Sequence, residues 1–299
     1  MSGILYIIIA TSLWALDTLI RYPLLFGGAS AEQIVFGEHL ILTVIFIPIL
    51  LKDFKRIWNA RVSHIFSFVV IGGIGSALST LAFTRAFTLI NPSLVILLQK
   101  LQPLVAILLA RIILKEPIHQ KFIGWALLCL FGGFLISSKD ILPGLSHLDW
   151  SMKMLSDKHL MGYGLTLLAV AGWGASTVFG KKLSSEGYKV QEIMGLRFAF
   201  GLVFLLTTLT SVEGVFSIGR DVWPKIGLMV LLSGLLGMFF YYQGLKKIPA
   251  RLATLAEMFF PFCALTLNWV FLEATLEPIQ LIGGALLILG STVIQLKHY

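Results

Sequence analysis

The 299-residue chain is 57% hydrophobic and only 13% charged, with a mean hydropathy of +0.90. That composition excludes an ordinary soluble globular protein. The formal net charge of +8 has to be explained by where the charges fall before any anionic partner is invoked.

Ten apolar stretches recur along the chain, at about 3–20, 32–51, 65–87, 92–114, 121–138, 160–179, 190–210, 224–245, 252–272 and 279–296. Each approaches the roughly 20 helical residues that cross a hydrocarbon core of about 30 Å. None alternates strictly, so the stretches read as helices and not as strands of a barrel. The first has neither a basic leader nor a small-residue cleavage site, and reads as a retained helix. The longest segment between stretches, 139–159, is too short for a soluble catalytic domain, so activity is expected within the membrane.

With both termini placed in the cytoplasm, 14 of the 23 Lys and Arg fall in inside loops. Seven fall outside, among them Arg21 and Arg85, and Lys100 and Arg197 lie within helices. The positive charge is thus a record of topology in a cytoplasmic (inner) membrane. The expected partner surface is the lipid bilayer, with no nucleic acid and no obligatory protein partner. Cys129 and Cys263 fall inside helices without metal spacing and imply neither a disulfide framework nor a metal site.

The two halves repeat weakly at an offset of 158 to 159 residues. Trp14 (SLWALDT) aligns with Trp173 (AGWGAST), Glu38 with Arg197, Phe83 with Tyr241, and Pro103 with Pro261. The repeat contains five helices, so its copies enter the membrane in opposite directions and are related by an axis in the membrane plane. The expected organisation is therefore all-α, with ten transmembrane helices as two inverted five-helix repeats. These are 1–139 and 160–299, joined by an extracytoplasmic loop at 140–159.

WALDTLIRY, WGASTVFGK, LRFAFGLVFLL, FTRAFTLINPSLVILLQKLQPLVAILLARIILKEP and YYQGLKKIPARLATLAEMFFPFCALTLNWVFLEATL together resemble EamA-type proteins of the drug/metabolite transporter superfamily. The resemblance covers essentially the whole chain. It implies ten helices, cytoplasmic ends, alternating access, and export or exchange of small metabolites such as amino acids. One departure stands out: members often carry an arginine in helix 2 like that in helix 7, and here Arg197 is kept while its partner position is Glu38.

Charges inside a bilayer cost about 2.5–3.5 kcal/mol each at a helix centre, so they face cavities or pair. From helix rise, Asp17, Glu38, Arg85 and Lys100 fall in the outer half, and Arg197 and Glu257 match in depth in the inner half. Lys100, with Gln99 and Gln102, is expected to contact an anionic group of a substrate, and Glu38 or Asp17 a cationic one. The structural alternative is that Lys100 pairs with one of those carboxylates. Arg197 and Glu257 read as an inner gate or a packing bridge, and His39 as a proton relay or a hydrogen-bonded helix histidine.

Trp14, Trp173 and Tyr242 are aromatic lining candidates; such rings equally pack between helices or anchor at the interface. Pro103 and Pro261 are hinge candidates, because each removes a backbone hydrogen bond. Gly72 to Ser76 and Gly73 to Ala77 show the small-residue spacing that lets helices approach closely.

The chain lacks HExxH, GxSxG and the phosphate-cradling GxxxxGK[ST]. The reading is therefore a secondary transporter, not an enzyme. It would carry a small zwitterionic, amino-acid-like metabolite, with an organic cation as runner-up. No cofactor is implied, and protons are candidate coupling ions.

Overall fold

The computed structural model describes residues 3–53, 60–115, 118, 121–146, 158–208, 214, 219–257, 259–273 and 276–296, and among them it contains helices and no strand. In chain order the helices are α1 (Gly3–Phe26), α2 (Ala31–Lys52), α3 (Val62–Ala86), α4 (Pro92–Ile113), α5 (Phe122–Ser146), α6 (Lys158–Ser185), α7 (Val190–Thr208), α8 (Val222–Lys247), α9 (Ala250–Glu257), α10 (Phe259–Leu272) and α11 (Pro278–Leu296). Seven of them, α1 to α4 and α6 to α8, are long and apolar enough to cross a membrane. All ten apolar stretches carry helix, the ninth on both sides of residue 258, which lies outside the described residues.

Two expected boundaries are corrected. α1 runs six residues past Ile20, because Arg21 is buried with acidic partners and does not end the helix. α5 continues through Ser146, which moves its end beyond the expected loop start at 140; residues 147–157 lie outside the described residues.

Local signals account for several helix ends. Ser30 caps α2 in a reciprocal box with Gln33, each side chain accepting from the other residue's backbone N–H. Asn91 accepts from Ser93 N at 2.9 Å, and Pro92 follows at the first turn of α4. After α1 the chain turns through Gly28 (φ 97°), with Ala29 N bonded to Leu24 O. After α6 the same turn recurs through Gly187 (φ 84°), with Tyr188 N bonded to Leu183 O. Both are left-handed helix terminations, which glycine adopts without a Cβ penalty. The two non-glycine residues with positive φ, Lys115 and Glu273, likewise stand 158 apart.

A less expected feature also recurs. Within α3, Val69–Leu78 is π-helical, and within α8 so is Val230–Gly237. Such wider turns inside α-helices often mark functional positions. The middle of α4 is a 3-10 turn, Gln99–Leu101, directly ahead of Pro103.

Packing is reciprocal between the halves. α1 crosses to pack on α8, α9 and α10, and α6 crosses to pack on α3 and α4; α2 pairs with α7, and α5 with α11. α5 and α11 turn large apolar side chains outward, including Leu127, Phe131, Leu281 and Leu289. The interior instead holds Asp17, Arg21, Glu38, His39, Lys100 and Arg197, a polar centre inside an apolar coat.

Lys181 on α6 ties the end of α8, donating to Leu245 O at 3.0 Å and Ile248 O at 2.9 Å. Carbonyls at a helix C-terminus lack intrahelical donors. Lys181→Met is expected to lower the thermal midpoint of the detergent-solubilised protein by about 2–4 °C, from about 1 kcal/mol of lost hydrogen bonding. An unchanged midpoint would mean that water replaces the ammonium at no cost.

Candidate functional site

Residues of both halves enclose a central cavity of about 990 Å³, including its open mouth. Among the described residues its wall comes from α1 to α4 and α6 to α10, and none of α5 or α11 lines it.

Two aromatic pairs stand on the wall, and each joins one half to the other. Trp14 meets Tyr241 with ring centroids 5.3 Å apart, and Trp173 meets Phe83 at 4.8 Å. The pairs are equivalent under the repeat, Trp14 aligning with Trp173 and Phe83 with Tyr241. Tyr242, the tyrosine expected on the wall, is buried behind it and is bonded by Arg197; its neighbour Tyr241 lines the cavity instead.

Arg21 is the residue that the sequence reading missed by assigning it to an outside loop. It lies four residues from Asp17 on the same face of α1. Its Nε donates to Asp17 Oδ2 at 2.7 Å, Nη2 to Glu38 Oε1 at 2.7 Å, and Nη1 to Thr84 Oγ1 at 3.2 Å. Ser233 Oγ adds a bond to Asp17 Oδ1 at 2.8 Å. One guanidinium thus serves two carboxylates and links α1, α2 and α3, while Asp17 extends the cluster to α8 through Ser233. The signal was present: an Asp at i and an Arg at i+4 beside a buried Glu makes a charge affordable inside a span.

The other half has the converse arrangement. Arg197 of α7 bonds Ser176 Oγ at 2.7 Å, Tyr242 OH at 3.3 Å and Gly75 O at 3.3 Å, all neutral groups. Ser176 occupies the position equivalent to Asp17. The expected Arg197–Glu257 pair does not form: Glu257 Oε2 accepts from Gln102 Nε2 at 2.8 Å and lies within electrostatic range of Lys100. Equal depth in the membrane did not bring α7 and α9 side chains together.

Lys100 is buried behind the wall, whereas its neighbours Gln99 and Gln102 are on it. The carboxylates offered to it by the sequence reading, Asp17 and Glu38, bond Arg21 instead. His39 lines the cavity with Nδ1 2.8 Å from Val35 O and Nε2 3.0 Å from Ser76 Oγ. Val35 O can only accept, so Nδ1 carries a hydrogen. Arg85 is half exposed and forms an ion pair with Glu32, away from the cavity. Pro103 stands in the first turn after the 3-10 break in α4, and Pro261 lies in α10.

Backbone carbonyls in both π-helical segments bond across the halves. Trp14 Nε1 donates to Ser233 O at 3.2 Å, and Arg197 Nη2 donates to Gly75 O. Gly75 and Ser233 are again 158 apart. Three polar atoms of wall residues have no hydrogen-bond partner among the described residues and are covered by neighbouring atoms: Gln99 Oε1, Arg197 Nε and Glu257 Oε1. Each such atom costs about 1–3 kcal/mol.

A Fusobacterium nucleatum protein, riboflavin transporter ImpX, is 30% identical over 296 residues, covering 96% of this chain and 95% of its own. An uncharacterized transporter of Bacillus subtilis, YyaM, is 24% identical over 245 residues, covering 78% and 75%. A crystal structure of a protein 17% identical superposes with a TM-score of 0.62 over 99% of this chain and 96% of that one, a likeness of fold. The EamA-like transporter family profile matches residues 1–138 and again 160–296, the two halves that meet around the cavity, and the chain is a multi-pass membrane protein belonging to that family.

Proposed function

We propose that the protein is a secondary transporter that carries a small, flat, uncharged heteroaromatic metabolite of the riboflavin kind across the cytoplasmic membrane by alternating access. The observation that carries this reading is the pair of equivalent aromatic contacts, Trp14–Tyr241 and Trp173–Phe83, each built from both halves. A flat ring held between them touches both halves at once, so their relative motion is coupled to the cargo. The name of the Fusobacterium relative supports the same chemistry.

Ten spans in two inverted repeats, with both ends cytoplasmic, fit the recurring turns, the paired π-helical segments, the reciprocal packing and the loop charges. The covered, unpartnered atoms of Gln99, Arg197 and Glu257 are groups that a second conformation would satisfy. Gln99, Gln102, Asp17, Glu38, Trp14 and Trp173 form the contact surface in this reading. Lys100 and Tyr242 act from behind it, Lys100 balancing Glu257; Pro103 and Pro261 are the bending points. His39 and Glu257 are the candidates for proton coupling.

The test is uptake of radiolabelled riboflavin by proteoliposomes of the purified protein. Saturable, protein-dependent uptake is expected. Trp173→Ala is expected to raise the half-saturation concentration on the order of tenfold, from about 1–1.5 kcal/mol of lost aromatic contact. Uptake of amino acids without flavin would instead favour a zwitterionic cargo. One observation speaks for that second reading: Asp17 and Glu38 share a single guanidinium, while Arg197 has only neutral partners among the described residues.

A further inference from the structure

The cavity is rich in charge, yet it presents little of that charge in a form that an anion can use. A phosphate or carboxylate is bound best by an open guanidinium fork, two parallel N–H donors aimed at two oxygens. Two arginines reach this wall, and both forks are occupied. Arg21 gives Nε and Nη2 to Asp17 and Glu38. Arg197 gives its terminal nitrogens to Ser176, Tyr242 and Gly75 O, and its Nε is covered. Lys100, the remaining interior cation, stands behind the wall and not on it.

The acids are arranged differently. Asp17, Glu38 and Glu257 all line the cavity; Arg21 and Arg197 are on the wall with them, and Lys100 stands behind it within electrostatic range of Glu257. The surplus of acids sits at the first-half cluster, where one guanidinium serves two carboxylates. At that cluster an incoming anion would meet like charge and find no free fork in return. A neutral molecule with hydroxyl and ring N–H groups meets aromatic faces and hydrogen-bond acceptors.

We propose that the cavity sorts its cargo by charge, accepting the uncharged flavin and refusing the same molecule once it carries a phosphate, and that Asp17 is a specificity-determining residue for this choice. The inference rests on the flavin reading given above and deepens it by naming which chemical form moves. A corollary concerns the reaction that follows transport: phosphoryl transfer to the terminal hydroxyl on the receiving side would turn the cargo into a form the protein does not return.

The experiment uses the full chain in proteoliposomes and measures how radiolabelled riboflavin uptake is inhibited by three unlabelled compounds: riboflavin, its 5′-phosphate, and a neutral 5′-ester of similar bulk. The ester is expected to compete within a few-fold of riboflavin, and the phosphate at least about a hundredfold more weakly, as juxtaposed like charges require. In Asp17→Asn, which keeps the Arg21–Glu38 pair and removes the surplus charge, the phosphate-to-riboflavin ratio is expected to fall by about tenfold. That ratio is independent of how much protein is reconstituted, so a variant that merely folds poorly leaves it unmoved.

Absence of riboflavin uptake by the natural protein would overturn the flavin reading and this inference together. Uptake with phosphate and riboflavin competing equally would overturn the inference alone. Exclusion of the neutral ester as well would make the selection one of size, and an unchanged ratio in Asp17→Asn would remove Asp17 from it.

Discussion

Arg21→Ala is expected to deplete the folded protein from the membrane. Its guanidinium is the shared partner of Asp17 and Glu38, all three buried, at 2.7 Å from the nearest oxygen of each. Removing one partner of a buried ion pair costs about 3–5 kcal/mol, because the remaining charge is left uncompensated. Here two carboxylates are stranded, three helices lose a common tie, and the cost falls at the upper end of that range. The measurement is thermal unfolding of the solubilised protein together with its abundance in membranes. The triple substitution Arg21→Met, Asp17→Asn, Glu38→Gln removes all three charges and is expected to recover much of the lost stability. A single variant as stable as the natural protein would mean that the triad is solvated and stabilises nothing.

Gly72→Leu is expected to abolish transport by parting α3 from α7. A Cβ at Gly72 would lie 2.6 Å from the backbone oxygen of Arg197 and 2.6 Å from Phe200 Cβ. Neither can move without shifting α7, and α7 holds Arg197 on the cavity wall. Overpacking costs about 1–3 kcal/mol where side chains can yield; with backbone opposite, the helices must separate. Gly164→Leu on α6 is the control, because a Cβ there meets nothing within 4 Å. The pair is compared by initial uptake rate per reconstituted transporter. Equal rates would show that the α3–α7 contact has slack.

Much of the helical layout was legible because apolar length is a strong signal and was repeated. Trp14 and Trp173 could be paired from sequence alone, since both halves carry them in matching contexts. Three things were not legible. Arg21 looked like the end of a span because hydropathy scores a charge without its partners. Lys100 was placed on the cavity because a lone interior lysine suggests a ligand, yet the 3-10 turn at Gln99–Leu101 sends Gln99 and Gln102 to the wall and leaves the lysine behind it. Arg197 and Glu257 were joined on depth alone, which says nothing of azimuth around the bundle. The expected small-residue spacing at Gly72 was sound as a packing signal, but hydropathy carries no trace of the π-helical winding there.

That winding has a mechanical consequence. A π-helical stretch takes more residues per turn than an α-helix, so Val69–Leu78 and Val230–Gly237 each hold surplus chain coiled inside a rod. Rewinding either one to α geometry would lengthen the rod and rotate everything beyond it, as a screw does. Phe83 lies beyond the first stretch and Tyr241 beyond the second. The two aromatic contacts therefore sit on the threaded ends of two matched screws, and a turn of one screw without the other would swing a single wall.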